Sequence, residues 1–123
     1  MGLIPWTQKE IAIMDTYAFQ RLRRIRQLAM ARLVYPGAMN SRFDHSIGVM
    51  HLAGRIFERL DEFEGVDPTD KGKIRIAALL HNIGQGPFSH VSEFLLEQYS
   101  NKGSLSEIKD TGKIRERLTA DII

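Results

Sequence analysis

The sequence predicts an all-α fold on three observations. Along most of the 123 residues, apolar side chains recur at intervals of three and four, which is the spacing of one face of a helix. Helix-start signals precede several of these segments. Nowhere do four or more residues alternate between apolar and polar with the two-residue period of a half-buried strand. We therefore expect helices packed around a core, with no sheet.

Two helices are expected in the first third of the chain. Thr7 and Glu10 have the spacing of a capping box, which starts the first helix. Asp15 is expected to cap the second, whose core stripe comprises Phe19, Leu22, Ile25 and Leu28. The same segment carries five arginines, namely Arg21, Arg23, Arg24, Arg26 and Arg32. Because charge runs are usually solvent-facing, we favour an exposed helix face with buried aliphatic stems over a nucleic-acid patch.

A long helix is expected in the middle of the chain. Asn40 or Ser41 caps it, and Glu64 followed by Gly65 ends it. Its inward stripe comprises Phe43, Ile47, Met50, Gly54, Phe57 and Leu60. This helix would be the longest element and would supply much of the core.

Two further helices follow. Asp67 is expected to cap the first of them with Pro68 at its first position, and the helix runs to His81. Residues 84–87 form a turn rich in glycine, and residues 89–99 form an amphipathic helix.

The length of 123 residues fits one domain, over residues 1–123. A last apolar stripe comprises Ile114, Leu118, Ile122 and Ile123. No stop signal follows this stripe before the chain ends. The sequence therefore predicts a domain that is truncated at its C-terminus.

Composition excludes several classes of site and location. The chain has no cysteine, which excludes disulfides, thiol catalysis and zinc-thiolate sites, so any metal must be held by His, Asp or Glu. No apolar run approaches the length of a membrane span, and the N-terminus lacks a signal-peptide pattern, which predicts a cytoplasmic protein with no membrane partner. The net charge of +2 is too small to indicate nucleic-acid binding by itself.

The four histidines lie in two segments, residues 40–52 and 74–93. His45 falls at the start of one predicted helix, and His81 falls at the end of another. Two antiparallel helices would bring these ends together, which is how helical bundles build metal sites. A lone histidine on a helix is more often a packed or solvated residue than a ligand, so the surrounding pattern has to decide.

That pattern resembles a known family. The four segments that carry the resemblance, in the family's order and spacing, are FQRLRRIRQL (residues 19–28), VYPGA (34–38), SRFDHSIGV (41–49) and LLHNIGQGPFSH (79–90). They are similar to the HD-domain metal-dependent phosphohydrolases, and most of all to the deoxynucleoside triphosphate triphosphohydrolases of the sterile-alpha-motif/HD type. The resemblance implies a helical bundle that holds a divalent or iron-type metal (Mn, Mg, Fe or Zn) and hydrolyses a nucleotide or deoxynucleotide phosphate. It also implies a homo-oligomer or a partner chain that completes the site.

The resemblance assigns three positions to the metal site. His45 and His81 match metal-binding histidines, and Asn82 stands where the family has a metal-binding aspartate. An amide keeps the shape of a carboxylate but lacks the negative charge that neutralises a cation, so metal binding is expected to be weak or absent. No counterpart of the family's distant aspartate, the fourth ligand, is identified in the sequence.

The resemblance also assigns catalytic and substrate positions. His90 and Glu116 match retained catalytic residues, whereas Gln85 and Arg115 stand where the family has histidines. Glutamine cannot shuttle a proton near pH 7, and arginine stays protonated, so neither replaces a general acid or base. The implied substrate-binding residues are Gln27 and Leu28 beside the deoxyribose and Arg42 on a phosphate.

Three hypotheses for function follow from these residues. The first is an active HD phosphohydrolase, and the second is an impaired relative that keeps the fold, binds nucleotide and serves as a regulatory or structural subunit. The third is a helical interaction module without a ligand, whose mark would be a large exposed apolar patch. Because three chemical positions are altered together, we favour absent or strongly reduced catalysis in this chain.

Overall fold

The computed structural model describes residues 3–65, 67–88 and 90–99. The helices are α1 (Gln8–Met14), α2 (Tyr17–Gln20), α3 (Arg42–Glu64), α4 (Asp70–Leu80) and α5 (His90–Tyr99), with short 3-10 helices at Arg21–Arg24 and Ala31–Leu33. Over the described ranges no strand occurs, only an isolated bridge between Arg26 and Ser41. The all-α prediction is confirmed.

The N-terminal helices begin at threonines. The predicted capping box is present in α1, where the N–H of Glu10 donates to Thr7 Oγ1 and the N–H of Thr7 donates to Glu10 Oε2 over 2.8 Å. The second helix is capped by Thr16 instead of Asp15, and it has only four residues before it tightens into the 3-10 helix Arg21–Arg24. Thr16 replaces Asp15 because the chain first closes α1 at that aspartate.

The three-residue stripe in this segment is buried only in part. Phe19, Leu22 and Ile25 lie in the core. A 3-10 helix has three residues per turn, so residues at this spacing stack on one face. The helix stops at Ile25, whose φ of −101° and ψ of 118° are those of extended backbone. Leu28 therefore leaves the stripe and is 52% exposed, so its assignment to the core was wrong.

Helix α3 provides the central wall of the core. Ser41 caps it and forms a capping box with Asp44, and the helix ends at Gly65 in the left-handed conformation with φ 59°, as predicted. Phe43, Met50 and Phe57 are buried at seven-residue steps, whereas Leu60 at the end of the stripe is 44% exposed and was wrongly placed inward.

Helix α4 packs against α3 and buries Leu79 and Arg75. The helix begins at Asp70, later than predicted, and the carboxylate of Asp67 instead accepts from the N–H of Thr69 over 2.8 Å. Arg75 reaches the N-terminal segment and forms an ion pair with Glu10 over 2.6 Å. The start of α3 and the turn after α4 both lie beside the N-terminal third of the chain, where Ile25 accepts from the N–H of Arg42 and Arg21 donates to the carbonyl of Ile83.

None of the helices within the described ranges is both long and apolar enough to cross a membrane. The expected C-terminal stripe at Ile114 to Ile123 lies outside the described residues.

Candidate functional site

The structure brings His45 and His81 together. His45 lies in the first turn of α3, and His81 is the residue that follows α4. Their ring centroids are 5.4 Å apart in an edge-to-face arrangement. The start of α3 and the end of α4 therefore meet, as expected for two antiparallel helices.

Two hydrogen bonds fix the ring of His81. Its Nδ1 lies 2.6 Å from the carbonyl oxygen of Ala78, which can only accept, so Nδ1 carries a proton and donates. Its Nε2 lies 2.7 Å from Nδ2 of Asn82. An amide NH2 can only donate, so Nε2 carries the lone pair and accepts. These two contacts fit a His81 ring that donates from Nδ1 and accepts at Nε2.

Asn82 is enclosed, with 1% of its surface exposed. Its Oδ1 accepts from Nη1 of Arg42 over 3.3 Å, while its Nδ2 donates to His81. Arg42 is the first residue of α3, is buried, and donates its backbone N–H to the carbonyl of Ile25 over 2.7 Å. The amide thus bridges the start of α3 and the turn after α4.

Gln85 lies in the same buried turn, and its surface is fully covered. Its backbone N–H donates to the carbonyl of Asn82 over 2.9 Å, which closes the turn. Nη2 of Arg21 donates to the carbonyl of Ile83 over 2.7 Å and holds this turn from the 3-10 helix. Arg21 is thus half-buried and structural, whereas its neighbours Arg23 and Arg24 are exposed, as predicted for the arginine run.

The environment of His45 disfavours its charged form. Burial is the main reason that its pKa lies below the ordinary value of 6.5, and the proximity of His81 and Arg42 lowers the pKa further. A neutral imidazole can act as a metal ligand or as a hydrogen-bond partner of a ligand. Ser46, the next residue, is fully buried, and its Oγ has no hydrogen-bond partner among the described residues. Sequence reasoning missed Ser46, whose only signal is its position beside His45.

The donor set does not fit a catalytic metal. In the described ranges, no group of three His, Cys, Asp or Glu side chains lies close enough to hold a metal ion. Asn82 supplies an amide in place of a carboxylate, and its nitrogen faces Nε2 of the His81 ring. Neither the charge nor the orientation of this set suits a divalent cation.

The segment that carries Gln27 and Leu28 runs beside the start of α3. The N–H of Gln27 donates to the carbonyl of Asn40 over 2.9 Å, while Leu28 points to solvent. A cleft of about 210 Å³ borders this segment and the turn after Gln85. Its lining comprises Arg24, Ile25, Arg26, Ala29, Met30, Arg32, Pro87 and Phe88. A second cavity, about 470 Å³, lies elsewhere, along residues 52–60 of α3, and none of the expected site residues lines it.

Three of the expected site residues are not tested by this geometry. His90 begins α5, but its side chain lies outside the described part of the chain, as do Arg115 and Glu116. Their roles, like those of the other expected site residues, stay predictions.

Comparison with known proteins agrees with the motif pattern. The model of the HD domain family matches residues 42–122. The chain is 44% identical over 86 residues to the uncharacterized protein MJ1154 of Methanocaldococcus jannaschii, an alignment that covers 70% of this chain and 18% of that protein. It is 44% identical over 84 residues to the deoxynucleoside triphosphate triphosphohydrolase SAMHD1 of Homo sapiens, covering 66% of this chain and 13% of that protein.

A third relative, the SAMHD1 homolog of Dictyostelium discoideum, is 44% identical over 88 residues, with 68% of this chain and 17% of that protein covered. The chain thus spans less than a fifth of the length of these curated relatives. The family match, however, includes α3, α4 and the turn that holds Asn82. The chain therefore belongs to the HD domain family of phosphohydrolases, in the branch that resembles the SAMHD1 proteins.

Proposed function

We propose that this HD domain binds nucleotide phosphate, of the deoxynucleoside triphosphate class named for its relatives, with absent or strongly reduced catalysis. The observation that carries the proposal is the amide of Asn82, which is hydrogen-bonded to His81 and Arg42 where the family has a metal-binding carboxylate. The HD family generally uses divalent metals. An amide supplies no charge to hold such a cation, so the chemistry that depends on it would be lost first.

Phosphate binding does not need the carboxylate. The cleft beside Gln27 is lined by three arginines, Arg24, Arg26 and Arg32. Guanidinium groups bind phosphate through paired, charge-assisted hydrogen bonds. Leu28 is exposed and so offers an apolar contact for a sugar or base. These features support a nucleotide lying in the cleft beside the start of α3. Arg42 is buried and bonded to Asn82, so its contact with a phosphate rests on the family resemblance alone.

The expected result is saturable binding of a deoxynucleoside triphosphate without turnover. Binding is measured by isothermal titration calorimetry, and release of triphosphate or phosphate is followed with Mn²⁺, Mg²⁺ or Fe²⁺ present. The variant Arg42→Lys keeps one positive charge but loses the planar fork, so we expect affinity to fall at least about tenfold. Arg55→Lys, an exposed position on α3, is the matched control. Turnover of the wild type at a rate typical of enzymes, above roughly 1 per second, would contradict the proposal.

A second candidate function is a regulatory or structural subunit that binds protein. The exposed side chains of Leu52, Ile56 and Leu60 form a stripe along α3 and line the cavity of about 470 Å³. Apolar patches of this kind mark interaction sites. A homo-oligomer or a completing partner chain would cover the stripe, and light scattering of Ile56→Glu against the wild type tests self-association. If nucleotide binding is absent while assembly depends on Ile56, this second function replaces the first.

A cytoplasmic location stays a prediction.

A further inference from the structure

We propose that the side-chain amide of Asn82 blocks the metal site of this HD domain, because it is hydrogen-bonded to Nε2 of His81, the ring nitrogen that would coordinate a cation. The same amide ties the start of α3 to the end of α4, so this chain needs no metal to hold its site together. The inference rests on membership of the family. It does not depend on nucleotide binding, which is measured separately.

The orientation of the amide is fixed from both sides. Arg42 has only donors, so the atom of Asn82 that faces it must be the oxygen, Oδ1, at 3.3 Å. Nδ1 of His81 donates to the Ala78 carbonyl, so the ring atom that faces Asn82 is an acceptor and must meet the amide nitrogen, Nδ2, at 2.7 Å. Both ends require the same orientation. Reversing the amide would set two donors against each other at one end and two acceptors at the other.

A carboxylate in the same place would leave this arrangement incomplete. Aspartate has the shape of asparagine but offers only acceptors when ionised. One oxygen would accept from Arg42, and the other would face the lone pair of His81 Nε2. Two facing lone pairs are stable only with a proton or a cation between them. Asparagine provides its own hydrogen at this point, so no added ion is required.

Burial makes the two amide bonds important for the fold. Arg42 is the first residue of α3 and Asn82 follows α4 by two residues, so the bridge joins two helices that pack against each other. Both side chains are buried, and a buried polar group that loses its partner costs more than the bond itself contributes. Asn82 therefore takes over a cross-linking role that a metal would otherwise fill.

The test compares the wild type with Asn82→Asp by the ¹⁵N NMR signals of the histidine rings, in EDTA and with equimolar Zn²⁺. The wild type should show His81 protonated at Nδ1, with Nε2 signals that Zn²⁺ leaves unchanged. Asn82→Asp should gain a Zn²⁺-dependent shift at His81 Nε2. Asn40→Asp makes the same chemical change at an exposed residue and should behave like the wild type.

Three results would overturn the inference: a wild-type His81 protonated at Nε2, a wild-type Nε2 signal that shifts with equimolar Zn²⁺, or an Asn82→Asp protein that shows no response. Melting temperatures supply a second readout. The wild type should melt at the same temperature in Zn²⁺ and in EDTA, whereas Zn²⁺ should raise the melting temperature of Asn82→Asp by about 5 °C or more. If Asn82→Asp does not fold without Zn²⁺ but folds with it, the inference also holds. If it folds in neither, the two wild-type measurements decide.

If the wild type does not bind nucleotide but its His81 Nε2 signal is still unchanged by Zn²⁺, the proposed function is overturned and this inference stands.

Discussion

The buried ion pair between Glu10 and Arg75 shows how single residues hold this fold together. Nε and Nη2 of Arg75 donate to the two carboxylate oxygens over 2.6 and 3.0 Å, and Nη2 also donates to the carbonyl of Pro5 over 2.9 Å. Both side chains are buried. Removing one partner would leave the other charge buried without compensation, which costs far more than the intact pair contributes.

We therefore expect Arg75→Met to lower the free energy of unfolding by roughly 3–5 kcal/mol in urea denaturation. Adding Glu10→Gln should recover part of this loss, since glutamine removes the orphaned charge and can still complete the capping box with Thr7. Lys71→Met is the control, because it breaks the exposed pair with Glu58 over 2.6 Å and should cost far less than Arg75→Met. A double variant less stable than Arg75→Met would contradict this account.

The ion pair should also make stability depend on pH. Burial raises the pKa of Glu10, but the hydrogen bonds and charge of Arg75 together with the N–H of Thr7 outweigh burial, so the net pKa lies below the ordinary 4.5. A lowered pKa stabilises the fold above pH 4.5, and this contribution is lost as pH falls through the folded value. The stability difference between wild type and Arg75→Met should therefore shrink as the pH drops below 4.5.

Sequence reasoning at the residue scale located positions better than partners. The motif pattern identified His45, His81 and Asn82, and the structure brings them together. It could not assign the direction of the Asn82 amide, which depends on Arg42 lying 40 positions away in sequence. The contact of Arg75 with Glu10, 65 positions apart, was missed for the same reason. Apolar periodicity carries no information about buried polar pairs.

Helix ends were predicted well because their signals are local. The capping boxes at Thr7 and Ser41 and the left-handed Gly65 each depend on residues within one turn. The segment around Leu28 was predicted less well, because its three-residue spacing suits both a continuing helix and the short 3-10 turn observed. Where two local structures share a period, packing decides between them.

The packing of α3 on α4 gives a prediction at Gly54. A Cβ there would lie 2.8 Å from Nη1 and 3.2 Å from Cδ of Arg75, a side chain held in place by Glu10. Gly54→Ala should therefore lower stability, although alanine favours the helix by about 1 kcal/mol. Gly48→Ala in the same helix is the matched control, since its Cβ would meet nothing within 4 Å, and it should raise stability by about 0.5–1 kcal/mol. Thermal unfolding of both variants checks the pair, and equal stabilisation would contradict the close contact.

At the scale of the whole molecule, the all-α class and the meeting of two helix ends followed from the sequence, whereas the chemical state of the site did not. The fold brings His45 and His81 together through helix packing alone. Whether that geometry holds a cation depends on one amide and on residues distant in the chain. The helical fold can therefore be kept while the residues that decide metal binding change.

This independence is tested by restoring the family's residues in the variant Asn82→Asp, Gln85→His, Arg115→His. The carboxylate returns the charge a cation needs, so metal binding should recover, and metal analysis after dialysis should find bound Mn²⁺. Turnover should recover far less, because no further carboxylate ligand joins this group among the described residues. The double variant Gln85→His, Arg115→His keeps Asn82 and should retain no metal. Full triphosphate release by the triple variant would show instead that the three replacements alone separate this chain from an active hydrolase.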